Sequence, residues 1–316
     1  MAEQIDPHVC ASGHLDVGSG HKIYWEDWGN PSMEPIFHLH GGPGSNFNEK
    51  HKILYDPQKH RVIFHDQRGC GKSVPFAETT NNTTQDLVQD IEKLREHFGI
   101  EKFVVSGGSW GSTLALVYAI AHPEHVARIV LWSVFLDRQF EIDWVNEGYP
   151  RYFFPQEWNR FVSHVSEEYR TNGNAIMKYY AEQINSEDEA VAIKFAREWM
   201  LWECVLLSIV YDPVQLEKEV FEDDKVMSVS RLETHYFSQK CFLPENYILD
   251  NIGKIKHIPC VLVQGRFDMC TPPISALDLR NAYGDKLVLR WVNSGHSRTD
   301  PEMLTALKAE LDALVF

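Results

Sequence analysis

The sequence predicts an α/β fold in which a mostly parallel β-sheet is flanked by helices. Short runs of β-branched and aromatic residues alternate with longer segments of helical periodicity, which is typical of this class. A chain of 316 residues, of which 44% are hydrophobic, is large enough to bury both faces of such a sheet. Seven runs are predicted strands: residues 22–28, 36–40, 61–65, 103–106, 128–133, 259–264 and 286–292.

Helices are predicted between these strands and after the last of them. Residues 84–98 carry apolar side chains at helical spacing, with a threonine at the start and Gly99 just past the end. Residues 110–121 form a second predicted helix, which must stop before Pro123. The last helix, residues 301–315, has an amphipathic spacing that favours packing on the sheet.

The pattern changes between residues 135 and 256. Strand-like runs stop there, and segments rich in Trp, Tyr and Glu, such as 186–210, follow a helical pattern. Because this interval lies between two predicted strands of one sheet, we interpret 135–256 as a helical lid domain. The core domain then consists of residues 1–134 and 257–316.

Composition narrows the classes of function. A formal net charge of −15 argues against nucleic-acid binding, which needs a basic surface. No run approaches the ~18 apolar residues of a membrane span, and the first residues are too polar for a secretory signal. The six cysteines form no Cys-x-x-Cys pair, so reduced thiols, a cytoplasmic location and no metal site are expected. The sequence does not indicate the oligomeric state.

The segment Gly107–Gly111 has the form Gly-x-Ser-x-Gly. It follows a predicted strand and precedes a predicted helix, which is the context of a nucleophile elbow in an α/β-hydrolase fold. The turn would expose the hydroxyl of Ser109 beside the free amides at a helix N-terminus, where an oxyanion is stabilised. A purely structural turn is the alternative interpretation.

Two glycine-rich loops precede this elbow. His40–Gly44 ends a predicted strand and can supply a second oxyanion donor, so the amides of Gly42 and Trp110 are the predicted oxyanion hole. The loop Asp66–Ser73 ends in Gly-Lys-Ser, but the glycine that a phosphate-binding loop needs is replaced by its aspartate. We interpret it as a polar loop, braced by an Arg–Asp contact, at the floor of the site.

The order of catalytic partners in this fold is serine, acid, histidine. Asp268 follows the predicted strand 259–264, and His296 lies in a loop after the last predicted strand. The histidine can accept the proton of Ser109, while the aspartate holds its tautomer and stabilises the imidazolium. These residues are therefore the predicted catalytic triad.

Several motifs together resemble the proline iminopeptidase family of serine peptidases. They are HGGPG at 40–44, DQRGCGKS at 66–73, GGSWGSTLAL at 107–116, GRFDMCTP at 265–272 and GHS at 295–297. The resemblance implies a peptide substrate with a free N-terminal proline, and it implies no cofactor. It also implies that Glu203 and Glu233 hold the α-amino group of the substrate. Phe135 and Phe237 are candidate walls for the pyrrolidine ring.

The residues around Glu203 support part of this on their own. It is the only charged residue between positions 199 and 211, and burying an unpaired carboxylate is costly, so it needs a cation. The alternative interpretation is that Glu203 lies on the solvent-exposed face of a helix.

Two other functions remain open at this point. One is a carboxylesterase or amidase acting on small molecules, and the other is a catalytically idle ligand receptor on a hydrolase scaffold. Epoxide hydrolase or dehalogenase chemistry is disfavoured because it needs an aspartate at the elbow.

Overall fold

The computed structural model describes residues 6–314. Within them, eight strands form one sheet in the order β1-β2-β4-β3-β5-β6-β7-β8. The β1/β2 and β2/β4 pairs are antiparallel and the other pairs are parallel, which confirms the predicted class. The strands are β1 (Val9–Gly18), β2 (His21–Gly29), β3 (Pro35–Leu39), β4 (Arg61–His65), β5 (Phe103–Ser109), β6 (Val126–Val134), β7 (Cys260–Gly265) and β8 (Leu287–Val292).

Each predicted strand corresponds to one of β2 to β8 within two or three residues at either end. The remaining strand, β1, was not predicted. It pairs only with β2 at the edge of the sheet, and most of its residues are exposed, so it lacks the apolar content on which the prediction depends.

Helices connect and cover the strands. They are α1 (Glu49–Lys52), α2 (Thr84–His97), α3 (Trp110–Ala121), α4 (Gln139–Asn146), α5 (Pro155–Ser163), α6 (Gly173–Ile184), α7 (Glu189–Val205), α8 (Pro213–Glu222), α9 (Val226–Ser238), α10 (Tyr247–Asn251), α11 (Ile274–Tyr283) and α12 (Pro301–Asp312). α2 begins with a capping box between Thr83 and Asp86. α12 ends before Val315, which lies outside the described residues.

The two faces of the sheet pack against different helices. α2, α3 and α11 cover one face, where side chains such as Ile91, Leu114 and Leu279 are fully buried. α12 covers the other face through Met303 and Leu307. Burial on both faces is the reason that the central parallel strands read as continuous apolar runs.

Between β6 and β7 the chain is helical. We call α4 to α9 the cap helices. α5 to α9 share a hydrophobic cluster of their own, built around Trp158, Phe161, Tyr180 and Trp202. The last part of this interval differs, because Ile248 and Ile255 pack into the cluster on the sheet. No helix within residues 6–314 combines the length and the apolarity that crossing a bilayer requires.

Candidate active site

Ser109 lies on a sharp turn between β5 and α3. Its backbone dihedrals are φ +55° and ψ −132°, a conformation that an L-residue adopts only under strain. A Cβ at Gly108 would lie 2.0 Å from the indole of Trp132, and a Cβ at Gly111 would lie 2.1 Å from the carbonyl oxygen of Leu39. The chain can turn here only because glycine lies on both sides of the serine.

The loop that contains Gly42 lies beside this turn. A Cβ at Gly41 would be 3.4 Å from the Cβ of Ser109, so the loop backbone and the serine side chain are in close proximity. Gly42 has φ +110°, a left-handed conformation that favours glycine. Trp110 is the first residue of α3, and the amide at a helix N-terminus has no intrahelical partner.

One glutamine joins this loop to the elbow. The amide N–H of Gln67 donates to Nε2 of His40 at 3.0 Å, and its side-chain Nε2 donates to the carbonyl of His40 at 2.8 Å. Its Oε1 accepts a hydrogen bond from the indole N–H of Trp110 at 2.9 Å. Burial lowers the pKa of His40 to about 4, so its neutral ring donates from Nδ1 to the carbonyl of Gly41.

The rest of the 66–73 loop is held by buried polar contacts. Arg68 makes a bidentate ion pair with Asp90 of α2, at 2.6 and 2.8 Å. Asp66 instead accepts backbone N–H groups, from Lys72 at 2.8 Å and from Phe47 at 3.1 Å. The Arg–Asp contact thus joins this loop to a helix on one face of the sheet.

Asp268 and His296 form a buried pair at the carboxyl ends of β7 and β8. Nδ1 of the imidazole is 3.0 Å from both carboxylate oxygens. The amide of Thr271 donates to Asp268 at 2.8 Å, and its hydroxyl donates at 2.9 Å. Burial lowers the pKa of His296, but the charge of Asp268 and its hydrogen bond outweigh burial and leave the pKa raised.

The chain segment after α7 holds the loop of His296 directly. The carbonyl oxygen of Leu207 accepts hydrogen bonds from the amides of His296, at 2.9 Å, and Ser297, at 2.8 Å. The hydroxyl of Ser133 donates to the carbonyl of His296 at 2.9 Å. The backbone of the histidine loop is therefore fixed from two sides.

Ser109 and His296 line one and the same cavity. Among residues 6–314, no hydrogen bond of 3.5 Å or less joins the serine hydroxyl to this imidazole. Proton transfer therefore needs a closer approach of the two side chains. Such bonds are often long in a ligand-free site and shorten when substrate is bound.

A second cavity also has Ser109 in its lining, but not His296. We call it the acyl pocket. Phe135 and Phe237 form one wall, with ring centroids 5.9 Å apart at an angle of 76°. The predicted residues that line it are Gly42, Ser109, Phe135, Glu203, Glu233 and Phe237.

Glu203 and Glu233 approach each other at the end of the acyl pocket. Oε2 of Glu233 accepts a 2.6 Å hydrogen bond from the indole of Trp199, while its Oε1 is buried without a partner. Burial, together with the charge of Glu203, raises the pKa of Glu233 well above its usual range. Burial also raises the pKa of Glu203. A buried and a partly buried carboxyl, with one unsatisfied oxygen, can accept a cation with several donors, such as an ammonium group.

Several residues of this site were not predicted from the sequence. Trp199 and Trp202 line the acyl pocket from α7, and their spacing relative to Glu203 could have placed all three on one side of the helix. Thr271 contacts both members of the Asp268–His296 pair. No local pattern distinguishes a threonine of this kind from any other loop threonine.

His38 and His40 alternate at the end of β3, a spacing that two metal ligands on one strand could also have. Nδ1 of His38 is 2.8 Å from the hydroxyl of Tyr55. Within residues 6–314, no group of three or more His, Cys, Asp or Glu side chains is arranged to hold a metal ion. Both histidines thus have hydrogen-bonding roles in the loop and sheet.

Comparison with known proteins gives the family context. The family model described as "alpha/beta hydrolase fold" matches residues 34–298. The chain is 43% identical to the proline iminopeptidase of Neisseria gonorrhoeae over 94% of this chain and 93% of that protein. It is 41% identical to the proline iminopeptidase of Arabidopsis thaliana over 94% of this chain and 77% of that protein.

Solved structures resemble the fold at lower identity. The proline iminopeptidase of Mycobacterium smegmatis superposes with a TM-score of 0.59 at 18% identity, covering 96% of this chain and 97% of that one. An esterase from Exiguobacterium antarcticum superposes with a TM-score of 0.63 at 18% identity, covering 95% and 98%. At these identities the likeness extends to the fold alone.

Proposed function

The chain belongs to the proline iminopeptidase family of α/β-hydrolases, and we propose that it releases an N-terminal proline from peptides through an acyl-enzyme formed on Ser109. The observation that carries the proposal is the pair formed by the buried Glu233 and the partly buried Glu203 in the acyl pocket that Ser109 lines. A free amine supplies the positive charge and the N–H donors that this pair lacks.

Binding of the amine fixes which bond is cleaved. With the α-amino group held by the two glutamates, the first carbonyl of the peptide is oriented toward Ser109. The side chains of Phe135, Phe237 and Trp202 then surround the pyrrolidine ring with apolar surface. A blocked amine would leave the buried carboxyl of Glu233 and its neighbour Glu203 unpaired, so it would be rejected.

The chemical steps follow from the groups around the serine. His296 takes the proton of Ser109 as its hydroxyl attacks the carbonyl, and Asp268 stabilises the imidazolium. The amides of Trp110 and Gly42 donate to the developing oxyanion. The imidazolium then protonates the leaving amine, and water, activated by the same histidine, releases proline.

In this proposal the cap helices act as a lid over the sheet domain. They carry both glutamates and Trp199, so the side of the pocket that recognises the amine comes from the interval 135–256 and the nucleophile comes from the sheet. A cytoplasmic location is supported by the six cysteines, all of which lie within residues 6–314 as free thiols.

Proline 2-naphthylamide and its N-acetyl derivative test the proposal. We expect hydrolysis of the free amine and at least a roughly hundredfold lower kcat/KM for the acetylated compound, because acetylation removes the charge that pairs with the glutamates. Equal turnover of the two compounds would contradict amine recognition.

A fluorophosphonate probe provides an independent control for the nucleophile. It should label the wild-type protein and fail to label Ser109→Ala. Absence of labelling would favour an idle receptor, while fast hydrolysis of p-nitrophenyl esters without any cleavage of proline amides would favour an esterase.

A further inference from the structure

The cavity that Ser109 and His296 line together has a cationic side chain, Arg298, in its wall. We call it the leaving-group pocket, and its lining includes Gly41, His51 and Arg298. We propose that the guanidinium of Arg298 binds the α-carboxylate of the residue that follows proline, so that the enzyme prefers dipeptides with a free C-terminus. The inference rests on the proposed function, because it assigns the other half of the same substrate.

Arg298 has only neutral partners. Its Nε donates to the carbonyl oxygen of Lys50 at 3.3 Å, and Nη2 is 3.2 Å from Nδ1 of His51. Among residues 6–314, no carboxylate lies within 4.0 Å of this guanidinium. By contrast, the buried guanidinium of Arg68 is neutralised by Asp90.

The charge on Arg298 persists at neutral pH. Burial lowers the pKa of the guanidinium to about 10, which leaves it protonated near pH 7. Burial and the charge of Arg298 lower the pKa of His51 well below its ordinary value, so that ring stays a neutral acceptor. A partly buried cation without a carboxylate partner can bind an anion, and its planar fork fits a carboxylate.

The position of the cavity indicates which carboxylate binds. His296 protonates the amine that departs, so the residue after proline must lie on the side that this imidazole lines. Glu203 lines both cavities, which makes the acyl pocket and the leaving-group pocket continuous around Ser109. A zwitterionic dipeptide would then place its amine at the glutamates and its carboxylate at Arg298.

Peptide length is expected to matter for the same reason. Each additional residue moves the terminal carboxylate up to about 3.5 Å farther from the scissile bond. The formal net charge of −15 repels a free carboxylate at long range. A preference for the acid over an uncharged analogue therefore requires a local cation.

The test compares kcat/KM for Pro-Gly, Pro-Gly amide and Pro-Gly-Gly. We expect the wild type to prefer Pro-Gly over its amide by about tenfold or more, as a charge-assisted pair would give. The acid-to-amide ratio should fall to within about twofold in Arg298→Met and be partly retained in Arg298→Lys. Arg290→Met is the control for lost charge, because Arg290 pairs with Glu310 on the surface and lines neither pocket.

The outcomes separate this inference from the proposed function. A wild type that cleaves proline 2-naphthylamide but shows an acid-to-amide ratio near one would overturn the role of Arg298 alone. That role is also overturned if Arg298→Met keeps the wild-type ratio. A wild type that cleaves no proline substrate would overturn both. The ratio is measured within each variant, so a purely structural role of Arg298 between Lys50 and the histidine loop would not change it.

Discussion

The hydrogen bond between Trp199 and Glu233 provides a sharp test of how the amine is recognised. Among N–H groups within residues 6–314, the indole is the only donor to this carboxyl, at 2.6 Å, and the other oxygen has no partner. Trp199→Phe removes the donor and keeps an aromatic ring. It should therefore destabilise the carboxylate of Glu233 relative to its protonated form, while the wall of the acyl pocket stays largely apolar.

The expected magnitude follows from the type of bond. A hydrogen bond to a charged group contributes about 1.5–3 kcal/mol, and about 1.4 kcal/mol corresponds to a factor of about ten. In the proposed binding mode the substrate ammonium pairs with ionised carboxylates, so kcat/KM near neutral pH should fall by about tenfold to a hundredfold. The pKa of Glu233 is already raised by burial and by Glu203, and the indole lowers it. Loss of the indole raises this pKa further. In a plot of kcat/KM against pH, the rise on the low-pH side (the acid limb) therefore moves to higher pH.

The assay is kcat/KM for proline 2-naphthylamide across the pH range in which the enzyme stays folded. Trp202→Phe is the matched control, because this tryptophan lines the same pocket but donates to the carbonyl of Val145, at 3.3 Å. Both variants lose indole volume, whereas only Trp199→Phe should move the acid limb.

An unshifted acid limb in Trp199→Phe would refute this reasoning. So would an equal shift in both variants, because it would trace the effect to pocket shape rather than to the carboxyl.

Three further predictions concern the proposed catalytic triad and the proposed amine-binding residue Glu233. Ser109→Ala and Ser109→Gly should both abolish hydrolysis. In urea unfolding, the glycine variant should be more stable than the alanine variant by about 1 kcal/mol, because φ +55° strains only a residue with a Cβ. Equal stabilities of the two variants would show that position 109 is not strained. Asp268→Asn should lower kcat by roughly a thousandfold or more at neutral pH and shift the His296 limb to lower pH, because the carboxylate holds that pKa up; near-normal kcat would contradict the assigned triad. Burial and the charge of Glu203 raise the pKa of Glu233 in the folded state, so the folded protein loses stability as pH rises above the ordinary glutamate pKa of about 4.3. Glu233→Gln should therefore have a higher Tm than wild type at about pH 7, and the Tm difference should be smaller at about pH 4. A Tm difference that does not depend on pH would argue against this.

The three triad candidates could be predicted from the sequence because each of them lies at or just after the end of a strand. Ser109, Asp268 and His296 each come shortly after a run of β-branched residues, and the carboxyl ends of parallel strands meet at one edge of a sheet. Chain order and local pattern were therefore enough to identify the three candidates. Whether they act together stays a prediction until the variants are measured.

Other contacts between segments could not be predicted from the sequence. Gln67 joins the loop of His40 to the elbow through three hydrogen bonds, and nothing in its neighbours marks it for that role. Glu233 is similar, because its burial depends on how α7 packs on α9 rather than on its own helix. Arg298 follows His296 by two residues, yet its lack of an acidic partner emerges only from the folded chain.

The carbonyl of Leu207 has a mechanical consequence for the whole enzyme. It accepts two amide hydrogen bonds from the loop of His296, and it lies four residues after Glu203 of α7, which lines the acyl pocket. A displacement of α7 would therefore act on the backbone of His296 through these two bonds, while the bond from Ser133 of the sheet opposes it. The glutamate proposed to bind the amine and the histidine proposed as the base are thus mechanically linked through the main chain.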